Sequence, residues 1–407
     1  MSGLMPLADA QKAVLAGAAT LGEETVALDD ACDRVLSRDI AALRSQPPEA
    51  MSAMDGYAVR AADVASTPSA LKVIGEVAAG RPFDGAVGPG QAARIFTGGV
   101  VPRGADAVII QEDTVRDGDT VTVNEAVTRG RNIRGAGIDF ARGDLLLRSP
   151  RVLSDRDLSL AAAMNHPVLP VFRKPRVALL ATGDELIMPG NQPGPGEIVY
   201  SNGFALRALA RKEGADVIDL GIARDTLDDT VAAIRRARAN GADILITTGG
   251  ASVGDHDVVK RALEADGVEI AFWKIAMRPG KPMMHGRRGN LRVLGLPGNP
   301  VSSYVCATLF LVPLLRAMSG RSDVMPHVED VILGRDLAAN DQREDYLRAT
   351  LARRDDGALV AHPVGNQDSS LLAHLSAADA LLIRPPFASA AKAGDVCKII
   401  RLSAIDR

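Results

Sequence analysis

The chain has 407 residues, 47% hydrophobic and 24% charged, with a formal net charge of −3. That length exceeds one ordinary core and implies several domains, and the slight acidity excludes a chain-wide basic field of the kind that holds nucleic acid. The cysteines, Cys32, Cys306 and Cys397, lie too far apart for a CxxC pair and read as thiols in a reducing compartment.

No basic segment followed by an apolar core opens the sequence. The longest apolar run, Tyr304 to Leu315, is short for a bilayer and broken by Pro313, so a cytoplasmic protein without membrane contact is expected. In chain order, Ala8 to Ala18 reads as a helix and ETVAL as a strand, and Pro47-Pro48 marks a boundary. Residues 45–144 hold short β-like runs (LKVIGEV, ARIFT, DAVIIQE, DTVTV) between Gly and Asp turns, which predicts a small β domain. Helix returns after 145, where Ser154 and Asp157 have capping-box spacing with Asp in place of Glu. Packing of that helix on the N-terminal segment makes 1–44 plus 145–173 one discontinuous helical domain, with the β domain inserted in it.

From 174 to 324 strands and helices alternate. VALLAT is a strand. Ser201 or Asn202 caps a helix to Lys212, closed by Gly214. DVIDLGIA is a strand, and Asp225 caps a helix that Gly241 closes. DILITT is a strand, Val258 to Ala265 a helix, and VEIAFWKIAM and LRVLGL are strands. Pro300 starts an apolar helix at its first position. This predicts a doubly wound, mostly parallel α/β sheet. Residues 325–407 return to β runs and read as a closing β domain.

Loops after the parallel strands emerge at one edge, where ligands of open α/β sheets bind. Thr182, Gly183, Asp184 and Glu185 follow the first strand and Asp225 another. Thr248-Gly249-Gly250 with Ser252, Asp255 and Asp257 follows a third, and Pro297-Gly298-Asn299-Pro300 the last. Taken singly, each Gly or Asp reads as a turn or a cap. Together, glycines that admit an anion to the backbone beside hard carboxylates suggest phosphate chemistry with a divalent cation. Lys274, Arg278 and Lys281 read either as a solvated patch or as phosphate ligands. In the β domain, Asp55, Thr97-Gly98-Gly99, Arg134, Asp139 and Asp144 sit in unusual loops, or in the glycine turns of a small barrel. Gly250-Ala-Ser252-Val-Gly254 also matches a nucleophile elbow, but the later histidines, His285, His327, His362 and His374, occupy no recognisable triad loop. The histidines form no HxxxH or HxH pair for a metal.

SAMDGYAV, RIFTGGVVPRGADAVIIQED, NIRGAGIDF, LLATGDEL, TTGGASVGDHDVVK, FWKIAMRPGKP and GLPGNPVSSY together resemble, in order, the signatures of the molybdopterin molybdenumtransferase family, MoeA in bacteria and the E domain of gephyrin in animals. The resemblance covers essentially the whole chain. It implies a MogA-like central α/β domain, an inserted β domain, a C-terminal β-barrel domain and an elongated homodimer whose site is shared between chains. The implied reaction is a late step of molybdenum cofactor synthesis: adenylylated molybdopterin and molybdate react with Mg2+, and AMP leaves. A molybdopterin adenylyltransferase is a possible protein partner. Joined to the residue reading, the resemblance implies catalytic roles for Asp55, Thr97, Glu185, Asp225 and Asp257. Substrate contacts fall at Arg134, Asp139, Gly249, Gly250, Ser252, Lys274, Arg278, Lys281, Pro297, Pro300, Arg348 and Ser369, and metal ligands at Asp184, Glu185, Asp255 and Asp257. Tyr200 stands where the family often has an acidic residue. The competing readings are a molybdopterin adenylyltransferase, which usually lacks the flanking β domains, a serine hydrolase using Ser252, and a gephyrin-like receptor scaffold, which would need a further clustering domain.

Overall fold

The computed structural model describes residues 3–249 and 258–402. The chain divides into two compact units, Thr25–Cys32 with Arg38–Pro170, and Met1–Glu24 with Asp33–Ser37 and Val171–Arg407.

The first unit is built on a six-stranded sheet. Its strands are β1 (Gly56–Val59), β2 (Ser69–Val77), β3 (Gln91–Ile95), β4 (Ala107–Ile110), β5 (Thr114–Asp117) and β6 (Thr120–Val123), in spatial order β4-β1-β3-β2-β6-β5. Side chains alternate across it as a strand period of two requires. Tyr57 and Val59 enter a core with Leu71, Ile109 and Val121, while Ala58 enters a second with Val77, Ile95 and Val108. SAMDGYAV, read as a loop, supplies β1. Gly56 is obligatory there, because a Cβ would lie 1.7 Å from the Ile109 carbonyl oxygen. The helix Asp155–Ala163 begins with the expected reciprocal box: Ser154 N–H donates to Asp157 Oδ2 at 2.9 Å and Asp157 N–H to Ser154 Oγ at 3.4 Å.

The second unit begins with α1 (Leu7–Leu15). A doubly wound sheet follows, made of β7 (Arg176–Thr182), β8 (Asp216–Ala223), β9 (Ile244–Thr248), β10 (Glu269–Lys274), β11 (Pro282–Arg288) and β12 (Leu291–Leu296). The spatial order is β8-β7-β9-β12-β11-β10. The first four strands are mutually parallel, and β11 runs antiparallel to both β12 and β10. The helices are α2 (Asn202–Lys212), α3 (Leu227–Ala239), α4 (Val258–Ala265) and α5, which runs from Pro300 to Met318 with a π-helical stretch at Ala307–Leu311. One sheet face, carrying Val177, Leu179, Ile246 and Leu294, packs with residues of α1, α2 and α5. The other, carrying Ala178, Leu180, Leu245 and Val293, packs with residues of α3 and α4. Helix α5 is long and apolar enough to cross a membrane by composition, but 83% of that window is buried, so it serves as a core helix here.

Three local expectations are corrected. Asp225 does not cap α3. Thr226 does, its hydroxyl accepting from Asp229 N–H, while the Asp225 N–H donates to Asp184 Oδ1 at 3.2 Å. Ser201 precedes α2 without a side-chain cap bond, and Asn202 Nδ2 instead donates to the Gly298 carbonyl at 2.7 Å. VEIAFWKIAM is not one strand: β10 stops at Lys274, and Met277–Arg278 pairs with the barrel strand that starts at Glu344.

The N-terminal segment is fixed to this sheet. Met5 N–H donates to Lys274 O at 3.1 Å and Ala276 N–H to Met5 O at 2.8 Å. Helix α1 buries Leu7, Ala10 and Val14. Its C-terminal carbonyls, unpaired within a helix, accept from two arginines of the sheet. Arg287 reaches Ala13 O at 3.0 Å and also Ala16 O, and Arg292 reaches Ala16 O at 3.0 Å and also Gly17 O.

The chain ends in a closed five-stranded barrel of β13 (Val328–Leu333), β14 (Glu344–Arg353), β15 (Leu359–Pro363), β16 (Ala380–Arg384) and β17 (Val396–Arg401). The order β14-β15-β13-β17-β16 closes through a β14–β16 pairing.

Candidate functional site

The residues singled out from sequence gather in two places, one in each unit. In the first unit, Asp55 ends the turn before β1. Its Oδ1 accepts from both the backbone N–H and the hydroxyl of Thr97, each at 2.7 Å. These bonds, with the nearby Arg94 cation, hold the carboxyl below its usual range against a small burial effect. Arg94, not singled out from sequence, stacks over Phe96 with 4.7 Å to the ring centroid and donates to Gly56 O at 3.0 Å. The Thr97 turn is held by Gly98 N–H to Ser52 O and Ser52 N–H to Gly99 O, both at 2.9 Å. The short strand Ile133–Arg134 pairs with Met51–Ser52. This corner therefore joins Asp55, Thr97 and the strand carrying Arg134: an anchored carboxylate, a hydroxyl and an exposed cation, with the half-buried Arg94 beside them. Asp139 is exposed on the next turn, its N–H donating to Gln46 O at 3.0 Å, and Asp144 Oδ2 accepts from Ala141 N–H.

In the second unit, the C-termini of β7, β8, β9 and β12 end level. Thr182 is opposite Ala223, Ala181 opposite Thr248 and Thr248 opposite Leu296. Gly249 turns the chain at φ +86, and a Cβ there would lie 2.2 Å from the Thr182 carbonyl oxygen. Only glycine fits that approach. The Pro297–Pro300 loop lies beside it, a Cβ on Gly298 coming 3.9 Å from Gly249 Cα. Asp184 and Glu185 are exposed just past β7, with Asp184 held to Asp225 and the Glu185 carbonyl accepting from Ile198 N–H at 2.8 Å. Pro300 occupies the first turn of α5 as predicted.

The barrel adds a wall. Asn299 Nδ2 donates to Ser369 Oγ at 2.9 Å, and Val301 N–H to Ser369 O at 3.1 Å. Arg348 is only 1% exposed. Its guanidinium donates to Gln367 Oε1 and to the carbonyls of Leu371 and Asn366. It thus holds the Ser369 loop from behind. Asn202 and Asn299 also brace the Pro297–Pro300 loop, through Gly298 O and Ser369 Oγ, and the sequence carries no signal for either beyond the cap pattern and the prolines beside them.

The three cations separate. Lys274 ends β10, which runs in the direction of β12, so it reaches the same edge two strands away. Lys281 is exposed in the following turn, its carbonyl accepting from Ile275 N–H at 3.0 Å. Arg278 is tied to the barrel by an ion pair with Asp345, and it donates to Asn340 Oδ1 at 3.3 Å. Gly250, Ser252, Asp255 and Asp257 lie outside the described residues. Among the described residues no three His, Cys, Asp or Glu side chains form a metal cluster. His285, a candidate triad partner, is buried within β11.

Profiles of three families match the chain in tandem: the MoeA N-terminal region (domain I and II) over residues 5–165, a probable molybdopterin binding domain over 178–317, and the MoeA C-terminal region (domain IV) over 330–402. A molybdopterin molybdenumtransferase of Bacillus subtilis is 34% identical over 370 residues, covering 89% of this chain and 86% of the relative. Two solved molybdopterin biosynthesis MoeA proteins from Pyrococcus horikoshii superpose with TM-scores of 0.85 and 0.81 at 30% and 29% identity. They cover 99% and 98% of this chain and 100% of each solved chain.

Proposed function

The chain belongs to the MoeA family of molybdopterin molybdenumtransferases and serves molybdenum insertion, a late step of molybdenum cofactor biosynthesis; from that premise we propose that its substrate is adenylylated molybdopterin and that AMP is the leaving group. The observation that carries this is the level edge of four parallel strands, where Gly249, the Pro297–Pro300 loop and the Asp184–Glu185 turn meet. The cleft offers backbone access for a phosphate at Gly249, and Lys274 and Lys281 add positive charge along the same edge. Asn299 and Ser369 fix the loop that walls it. Water attacks the molybdopterin phosphorus of the phosphoanhydride, the bridging P–O bond breaks, and AMP departs with that electron pair on its phosphate oxygen while the water's proton passes to solvent; the dithiolene thiols bind molybdenum as a molybdate oxygen leaves as water with their protons.

Mg2+ prefers oxygen donors and binds through one or two carboxylates together with substrate phosphates. The exposed pair Asp184 and Glu185 fits that donor set, and Asp255 and Asp257 are proposed to complete it. Bound there, the ion would neutralise charge on the phosphoryl oxygens. Asp225 braces the Asp184 turn through its N–H. In the first unit, the charged Asp55, held by Thr97, is proposed to accept a hydrogen bond from substrate, while Arg134 and Asp139 contact its polar groups. We also assign the protein to the cytoplasm as a homodimer supplied by a molybdopterin adenylyltransferase, with domains bounded at 44, 144, 173 and 324.

Reconstitution tests the reading. Purified protein, adenylylated molybdopterin, molybdate and Mg2+ should release AMP, and omission of either molybdate or the cation should stop it. AMP release without molybdate refutes the assignment, as does ester hydrolysis lost in Ser252→Ala.

A further inference from the structure

At the opposite edge of the central sheet from these loops, α3 and α4 end and β11 turns into β12. Three guanidiniums meet there on one carboxylate. Asp266, its side chain 3% exposed, accepts from Arg238 Nη1 at 3.0 Å on one oxygen and 2.9 Å on the other, and from Arg288. Arg235 Nε lies 3.5 Å from Asp266 Oδ1. Despite the cost of burial, Arg288 and Arg238 hold the Asp266 carboxyl below its usual range. The group lines a surface cavity of about 680 Å³, whose remaining walls are Ala239, Ala265 and Gly267.

This is more charge than a structural tie requires. Arg238 alone engages both carboxylate oxygens, and Arg288 joins α4's end to β11. Arg235 then adds a third cation beside two others while its side chain stays 67% exposed. Among the described residues, three guanidiniums face one carboxylate, which leaves two positive charges without an ion-pair partner. Each guanidinium carries five N–H donors, and Asp266 takes few of them. Two helix C-termini point their partial negative charge at this place, which favours the arginines but also spends part of their charge. The small residues leave the space open, and its volume falls within the range of about 300–1,000 Å³ usual for small-molecule sites.

We propose that this cavity binds a small phosphate-bearing anion with at least two negative charges, at a site separate from the catalytic edge. Planar guanidinium forks match phosphate oxygens in pairs. Asp266 acts as the fixed counter-ion that spaces the forks before the ligand arrives, and the surplus of two charges sets the ligand's charge.

Inorganic pyrophosphate is the probe, titrated calorimetrically into the full-length protein. Because the catalytic edge is itself read as a phosphate site, Lys274→Ala serves as the comparison. Arg235→Glu is the test variant, since Asp266 keeps Arg238 and Arg288 and the fold is retained, as a circular dichroism melt verifies. Arg235→Ala serves as the milder variant. The expected result is a binding component present in wild type and in Lys274→Ala, weakened by about tenfold or more in Arg235→Glu, and weakened again by added salt. Superimposable titrations of wild type and Arg235→Glu overturn the proposal, as does loss of all binding in Lys274→Ala.

Discussion

His285 lies fully buried on β11, and burial, reinforced by the cations Arg287 and Arg292, pushes its imidazole down to about 4 from an ordinary 6.5. The fold therefore accommodates the neutral ring. Because the folded value lies below the unfolded one, the stabilisation is complete above pH 6.5 and is lost as pH falls towards 4. Two and a half units correspond to about 3 kcal/mol, of which about 2.5 kcal/mol is lost between pH 7.5 and 4.5. The perturbation is His285→Gln, which removes the titrating group. Carboxylates also titrate in this range, but they contribute equally to both proteins and cancel in the difference. A chain with two compact units need not unfold in one step, so hydrogen exchange of the β11 and β12 amides is the suitable measurement. The stability gap between wild type and variant should move by about 2.5 kcal/mol against the wild type on acidification over that interval. A movement below about 1 kcal/mol would show that the folded protein tolerates the charged ring and that burial does not set its protonation.

Three further outcomes follow from the site. Gly249→Ala must place its Cβ against the Thr182 carbonyl at positive φ, so it should cost about 2–4 kcal/mol in thermal or denaturant unfolding and reduce AMP release far more than the stability change explains. Asn299→Ala loses the bond to Ser369, which should cost only about 1 kcal/mol of stability while lowering turnover at least several-fold; unchanged turnover would show that the wall is not needed. Lys274→Ala should weaken substrate binding in titrations with an unchanged circular dichroism melt. Arg278→Ala should behave differently, lowering the melting temperature by the equivalent of about 1–3 kcal/mol, because Asp345, 4% exposed, loses its guanidinium partner.

That last contrast marks where sequence reasoning reaches its limit. Lys274, Arg278 and Lys281 share one short phrase and looked equivalent. What separates them is a pairing of Met277–Arg278 with a strand starting at Glu344, which no local pattern announces. Strand β11 carries no sequence signature for a related reason: PMMHGRR has no β-branched residue and no clean alternation, and its strand form comes from neighbours on both sides. The family resemblance implies a substrate contact at Arg348, and the barrel buries that guanidinium against Gln367 and the carbonyls of Leu371 and Asn366, partners that no local pattern announces. By contrast, patterns that act within a few residues were legible. The Ser154–Asp157 box, the Pro300 helix start and the helical pattern of Val258–Ala265 were each written in the chain. The cap of α3 lies one position beyond Asp225, since Asp225 and Thr226 are both good caps and it is the Thr226 hydroxyl that accepts from Asp229 N–H. The glycine turns were readable as special, but their partners, such as Thr182 beneath Gly249, required the sheet register.

The two arginines that receive the end of α1 impose an order of events on synthesis. Arg287 is separated from Ala13 by 274 positions. At about 5–20 residues per second, a ribosome needs roughly 14–55 s to cover that distance. Until then, and until α5 at Pro300–Met318 has followed, the apolar stripe of Leu7, Ala10 and Val14 has emerged without the surface it is meant to cover. Helix α1 is thus an early segment that is seated late. A transcript cut anywhere before the codon for Met318 yields a polypeptide whose amino-terminal helix stays incompletely covered, a natural target for holding chaperones and for proteases that clear unfinished chains.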